Sequence, residues 1–194
     1  MSTRVNISSS GTIENLLNLG FTPQDALHEL IDNSLDAKAT RIRIHFRTSD
    51  QTLTLADNGR GMNKTELAEA LCINNTKPAS DSIGLRGLGL KAGHAMLSKL
   101  TQMTHIFSRK AGDDVYEVEA NWPESIRANM WSPTPHSISA RHLHLWTDAS
   151  LHPDHGTVAV IPMPHTVMTA LLKDNAVPLL SEIGRTYELS LIHI

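Results

Sequence analysis

Between Arg41 and Phe46 the side chains alternate without exception: Ile42, Ile44 and Phe46 point one way, Arg41, Arg43 and His45 the other. That is the pattern of a strand with one buried face, and the buried face needs something apolar laid across it. The segment just upstream supplies it. Thr22-Pro23-Gln24-Asp25 is a helix start, with Thr22 able to cap, Pro23 suited to the first helical position and Asp25 to the third. A helix running to about Asp36 turns Leu27, Leu30 and Ile31 to one side. The chain is thereby held to helix-on-sheet packing.

The remaining pattern extends this. Thr52 to Ala56 reads as a second strand, closed by the turn Asp57-Asn58-Gly59, and Asn63-Lys64-Thr65-Glu66 is a capping box that opens a helix to about Cys72. Residues 73–83 are polar, with Pro78, and read as a mobile loop before the glycine-rich run 84–89; Leu90 to Leu100 is helical again. Strands are expected at Leu100–Arg109, Asp114–Asn121, Arg141–Trp146 and Gly156–Ile161. The Pro- and Ser-rich stretch Trp122–Ser139 reads as a loop, and Thr166–Tyr187 as a helix interrupted at Pro178, with a short helix at Thr12–Leu19. This order predicts an α+β fold: a two-layer α/β sandwich with helices on one face of a mixed β-sheet.

Composition narrows the function classes. Of 194 residues, 40% are hydrophobic and 19% charged, which suits one packed domain and argues against disorder throughout. The net charge of −3 makes no demand for nucleic acid or an anionic membrane. The single cysteine, Cys72, excludes an internal disulfide framework and a cysteine-based zinc site. No run reaches the ~18 apolar residues of a membrane span, and Met1 to Gly11 lacks a signal-peptide core. A cytoplasmic location, nuclear in a eukaryote, is the expectation. Eleven histidines are scattered without a helical HxxxH spacing, so strand or surface positions are expected of them rather than a metal site. Arg41, Arg43 and Arg47 read as a solvated strand face, and Trp122, Trp131 and Trp146 as packing residues.

Four short segments carry chemistry. In Glu29-Leu30-Ile31-Asp32-Asn33-Ser34-Leu35-Asp36, the residues Glu29, Asn33 and Asp36 are spaced i, i+4, i+7 and share a helix face. A carboxylate there suits activation of a water, and the carboxamide a turn later offers a neutral oxygen to a hard cation such as Mg²⁺. Taken alone, such a stripe is more often a solvated helix face. Asp57-Asn58-Gly59-Arg60-Gly61-Met62 follows a strand; its glycines admit a flat ligand, and Asp57 could accept from an exocyclic amine such as that of adenine. Gly84-Leu85-Arg86-Gly87-Leu88-Gly89-Leu90-Lys91 leads into a helix and offers backbone N–H groups to an anion. It lacks the GKS/T ending of a Walker loop, and it follows a polar loop where a dinucleotide fingerprint would follow a strand. Gly156-Thr157 opens the last strand.

Each piece alone is weak; their order within one domain-sized chain is specific. ELIDNSLDA, DNGRGM, GLRGLGLKAG and the later GT strand resemble the N box and the G1, G2 and G3 motifs of the GHKL (Bergerat-fold) ATPases, over roughly Leu16 to Ile161. The resemblance implies the Bergerat ATP-binding fold, with ATP and Mg²⁺ as cofactors and Mg²⁺-dependent hydrolysis coupled to lid closure. By it, Glu29 is the general base, Asn33 the Mg²⁺ ligand, Asp57 the reader of the adenine amino group, and Thr157 its helper through water. Gly59, Gly61 and Met62 wall the adenine pocket, residues 73–83 form the lid, and Gly87, Leu88, Gly89 and Lys91 hold the phosphates. Asp36, Gly84, Leu85 and Arg86 complete the expected nucleotide-binding set.

Within the superfamily, Glu29 argues for hydrolysis over phosphotransfer to histidine. The GLRGLGLKAG form is similar to MORC-like ATPases, while NSLDAKATRIRIHF is similar to MutL, and Ala37 stands where gyrase carries an acidic partner for Arg60. The resemblance ranks a MORC-like ATPase first and a MutL-like DNA mismatch repair ATPase second, with a nucleotide-switched binding module of little catalysis as a further alternative. It also implies an ATP-dependent homodimer, DNA contact through regions outside this chain, and no membrane association. The domain is expected to occupy 12–188, after a flexible lead at 1–11. Leu189-Ser190-Leu191-Ile192-His193-Ile194 resembles the in-frame translation of a transposon sequencing adapter and is expected to be a non-native tail. The natural protein is then expected to continue, and a chain lacking a second domain's lysine to bind ATP but turn it over slowly.

Overall fold

A computed structural model describes residues 22–71, 89–131 and 133–173. The expected helix at 12–19, the lid at 73–83, Gly84, Leu85, Arg86, Gly87 and Leu88, the stretch after 173 and the tail 189–194 lie outside the described residues.

Helix α1 (Pro23–Asp36) begins where the sequence places it. Thr22 Oγ1 accepts the Asp25 N–H at 3.1 Å and the Asp25 carboxylate accepts the Thr22 N–H at 2.8 Å, so two orphan donors are satisfied reciprocally. The helix buries Ala26, Leu27, Leu30, Ile31 and, on the same side, the polar Ser34. It ends with Lys38 in the left-handed region (φ 62°), its N–H returning to the Leu35 carbonyl. The chain then enters β1 (Ile42–Arg47), in which Ile42, Ile44 and Phe46 are buried and the residues between them exposed.

Strands β2 (Thr52–Asp57), β3 (Met103–Arg109), β4 (Val115–Asn121), β5 (His136–Ser137) and β6 (Gly156–Pro162) complete a sheet of order β1-β2-β6-β3-β4-β5. The sheet was expected to be mixed; every described pairing is antiparallel. The last strand inserts between β2 and β3, and Val158, Ala159, Val160 and Ile161 are all buried because both faces are covered there: Ala159 and Ile161 pack on the α1 side, Val158 and Val160 with Trp146 on the other.

Alternate residues of the sheet feed two cores. On one face Leu53, Leu55, Ala159 and Ile161 pack with α1, with α3 (Gly89–Ser98) and with α6 (His165–Leu171). Beside them, Ile106 and Val118 close on Leu67 and Leu71 of α2 (Lys64–Leu71), whose start is the Asn63/Glu66 capping box. This is the expected α+β sandwich. Helices α1 and α3 meet at Gly93, where a Cβ would lie 3.0 Å from Leu30 Cδ2 and 3.1 Å from the Ala26 carbonyl. A methyl there would force the two helices apart.

Two segments differ from expectation. Arg141–Trp146, expected as a strand, contributes to a helix, α5 (Leu143–Ala149). What it buries are His142 and Trp146, four residues apart, while Leu143 is exposed. The buried histidine hid the helical period. Helix α5 lies on the opposite face of the sheet, where Trp146 packs on Ala56, Phe107, Val158 and Val160. The sandwich therefore carries a partial third layer. Within Trp122–Ser139, read as a loop, lie α4 (Trp122–Arg127) and β5. Asn121 caps α4 by accepting the Glu124 N–H at 3.1 Å, and Trp122 is buried in a stack on Trp131.

Replacing Thr22 by Ala removes the cap of α1 and is expected to lower unfolding free energy by about 1 kcal/mol, read as a shift of the urea midpoint with unchanged slope.

Candidate functional site

The site begins at the end of β2. Asp57 is 4% exposed and lies on the α1 side of the sheet. Its Oδ1 accepts the Gly59 N–H at 2.7 Å, and its Oδ2 lies 3.2 Å from the Ser34 hydroxyl, whose one proton is shared with the Leu30 carbonyl at the same distance. Thr157, its cross-strand partner on β6, adds a backbone N–H. Burial pushes the Asp57 carboxyl up to about 6; the Gly59, Ser34 and Thr157 donors and the nearby His155 oppose that without cancelling it. Folding thus disfavours the ionised form. This group's contribution to stability falls as pH rises from the ordinary carboxylate range toward about 6 and is level above.

The turn after Asp57 is shaped by close approach. A Cβ at Gly59 would lie 2.8 Å from Ala37 Cβ, and the Ala37 carbonyl accepts the Arg60 N–H at 2.8 Å, so the turn is pressed onto the end of α1. Gly61 has φ 64°, and a side chain there would overlap the Arg109 carbonyl. Glu66 accepts from Lys110 Nζ, and the more distant Arg60 charge also favours its ionised form. Asn58 accepts the N–H groups of Thr40 and Arg41 at 2.9 and 2.7 Å, pinning the entry to β1.

A second knot holds the wall. Ser108 Oγ on β3 accepts the Met62 N–H at 2.8 Å and donates to the Gly156 carbonyl at 3.1 Å. With its one proton so used, its 3.0 Å contact with Thr157 Oγ1 has Thr157 as donor. His155 Nδ1 donates to the Gly59 carbonyl at 2.8 Å. Thus Asp57, Gly59, Gly61, Met62 and Thr157, predicted from separate motifs, share one hydrogen-bonded edge.

The residues expected to face phosphate lie on α1 and α3. Glu29 and Gly89 meet: a Cβ at Gly89 would overlap the end of the Glu29 carboxylate, which would have to swing aside. Partial burial, then Asp32 and Asp25, raise the Glu29 carboxyl above its ordinary value. Asn33 Nδ2 donates to the Glu29 carbonyl at 2.7 Å, which leaves Oδ1 as the atom for a ligand. Asp36 closes the last turn of α1. Lys91 is 1% exposed and its Nζ donates to the Ala70 carbonyl at 2.9 Å, tying α3 to the end of α2.

Ser34, Ser108 and His155 were missed in the sequence. The signals were there: a serine on the apolar stripe of α1, a serine closing an apolar strand, and a histidine directly before Gly156.

The sequence model described as histidine kinase-, DNA gyrase B-, and HSP90-like ATPase matches residues 21–156, a span that holds these groups except Thr157, which directly follows it. The chain belongs to that ATPase family. Among its relatives, the DNA mismatch repair protein MutL of Edwardsiella ictaluri is 32% identical over 125 residues, 60% of this chain and 19% of MutL. The ATPase morc-1 of Caenorhabditis elegans is 38% identical over 73 residues, 37% of this chain and 9% of its own length. MutL of Aquifex pyrophilus is 30% identical over 114 residues, covering 54% of this chain and 26% of that protein. The chain therefore spans a quarter or less of most of these relatives. Among the described residues no helix is long and apolar enough to cross a membrane.

For this family member, Ser108→Ala strands the Met62 N–H and the Gly156 carbonyl. A stability loss of about 1–3 kcal/mol is expected, together with weaker adenosine binding by calorimetry. Unchanged values for both would deny Ser108 its place in the wall.

Proposed function

We propose that this chain is an ATP-binding domain that hydrolyses ATP with Mg²⁺, with adenine read by Asp57 and water activated by Glu29. The observation that carries the reading is the Asp57 carboxylate, buried but held by Ser34, Gly59 and Thr157 so that an oxygen remains an acceptor at the edge of the sheet. An ionised acceptor there matches the amino group of adenine and rejects a carbonyl at the same place. Gly59 and Gly61 keep side chains out of the way of a flat base, and Met62 and Thr157 supply its wall.

Glu29 sits one helical turn from Asn33 and against the start of α3. A carboxyl raised above its ordinary value is a better base near neutral pH than a free one. The freed Asn33 Oδ1 fits a hard cation that keeps waters and phosphate oxygens as its other ligands. Mg²⁺ bound there would neutralise phosphate charge; Asn33 holds it and Glu29 orients the water. Asp36, Gly84, Leu85, Arg86, Gly87, Leu88, Gly89 and Lys91 complete the proposed nucleotide contacts, and residues 73–83 the lid, on the strength of the motif order.

A MORC-like role, with ATP-dependent homodimerisation, is the first reading. The longer aligned span with MutL favours a MutL-like mismatch-repair role as the second.

Glu29→Gln is expected to keep nucleotide binding while turnover falls by at least about a hundredfold, measured by phosphate release against equilibrium dialysis. Asp57→Asn should abolish adenine recognition. For the parent protein, adenosine affinity should fall about tenfold one pH unit below the Asp57 value near 6; adenosine carries no phosphate to confuse the titration. An affinity flat across that window would remove Asp57 from the adenine site.

A further inference from the structure

On the sheet face away from the nucleotide site, a second group of functional side chains converges. His105 on β3 and Glu119 on β4 are direct cross-strand partners, with Glu117 two residues along β4 on the same face. His142 at the start of α5 closes over them, edge-on to the His105 ring with centroids 4.7 Å apart. One ligand atom from each of His105, Glu117, Glu119 and His142 lies within 4.8 Å of the other three. The face is the one on which Phe107 packs with Trp146, so the group is independent of Asp57 and Glu29.

Three features distinguish the group from an ordinary surface ion pair. Glu117 is 0% exposed, a costly place for a carboxylate. Its Oε2 is fixed by the Ser139 N–H and hydroxyl at 3.2 and 3.3 Å, which aims Oε1 at both imidazoles. His105 Nδ1 is buried and faces Glu117 Oε1 at 3.5 Å, an ion-pair contact too long for a good hydrogen bond. A buried nitrogen and a buried carboxylate oxygen held at that separation leave each other poorly satisfied.

We propose that His105, Glu117, Glu119 and His142 bind a borderline first-row divalent cation of the zinc class and so clamp α5 to the sheet. Two imidazole nitrogens and two carboxylate oxygens suit zinc better than Mg²⁺ or Ca²⁺, which take oxygen donors. Tetrahedral bonds of about 2.0–2.2 Å put ligand atoms about 3.3–3.5 Å apart. The separations His105 Nδ1–Glu117 Oε1 of 3.5 Å and His142 Nδ1–Glu119 Oε1 of 3.9 Å are close to that. The His142–Glu117 hydrogen bond would widen to admit the ion. Four protein ligands from β3, β4 and α5 make the site structural, and Ser139 is the outer partner that orients Glu117.

Arg141 stands against the ion. Its Nη2 donates to Glu119 Oε1 at 2.9 Å and its Nε to His142 Nε2 at 3.0 Å. That fixes the His142 proton on Nδ1, the atom the cation needs. Loading moves this proton to Nε2 and displaces Arg141, whose side chain is 72% exposed and free to swing into solvent. Arg141 is thus a competitor for the site.

The test is titration of the chelator-stripped full chain with Co²⁺ and then Zn²⁺, followed by visible absorption and metal analysis. A single equivalent of Co²⁺ with bands displaced by Zn²⁺ is expected. His105→Gln, which gives up only the long Nδ1 contact, and Glu119→Gln should each weaken uptake at least tenfold with adenosine binding intact. Arg141→Met should tighten it. Zinc should raise the melting temperature of the parent and of Arg141→Met but not of His105→Gln. No uptake at micromolar metal overturns the proposal. So does equal uptake by the parent and both ligand variants, which puts the ion on other histidines.

Discussion

A carboxylate placed in the interior has to be repaid by hydrogen bonds, and the arrangement of this domain follows from how Asp57 is repaid. Its acceptors are met from three directions: Ser34 from α1, Gly59 from the turn after β2, and Thr157 from β6. Each donor fixes the position of its own element. The Ser34 bond sets how α1 crosses the sheet, and the Gly59 bond presses the turn on Ala37. The insertion of β6 beside β2 brings Thr157 to the same point. Without that insertion, the first and last motifs of the chain would not share an edge.

The repayment is incomplete, as the raised Asp57 pKa shows. A site that retains part of the desolvation penalty of its own acceptor is short of a donor, and on the proposed reading the amino group of adenine is that donor. The serine knot at Ser108 serves the same end by a different route. It contributes nothing to a ligand but holds Met62, Gly156 and Thr157 at fixed separations. The family match over residues 21–156 and this geometry therefore bear on the same edge of the sheet.

Much of this was legible in the sequence because it is local. The Thr22 and Asn63 capping boxes, the alternation of β1 and the glycine turns each depend on a few neighbouring residues, and each stands where the pattern put it. What was not legible depended on residues distant in the chain. The helix α5 was hidden because His142 is inside, and it is inside because Glu117, twenty-five residues earlier, needs it. The Lys91 bond to the Ala70 carbonyl joins two helices twenty-one residues apart, and no local pattern announces it. The strand directions across long connections carry no local signal, so the antiparallel sheet was read as mixed. The same blindness applies to the histidines, whose convergence on β4 is a matter of register.

The central claim is that ionised Asp57 is the group that reads adenine, and reciprocity between two binding events tests it most directly. The measurement is the carboxyl-carbon NMR titration of Asp57 in the free protein and at saturating adenosine. If the base binds the ionised side chain, the Asp57 midpoint must start near 6 and fall by a unit or more in the complex. A midpoint that stays put while adenosine is bound would contradict the account.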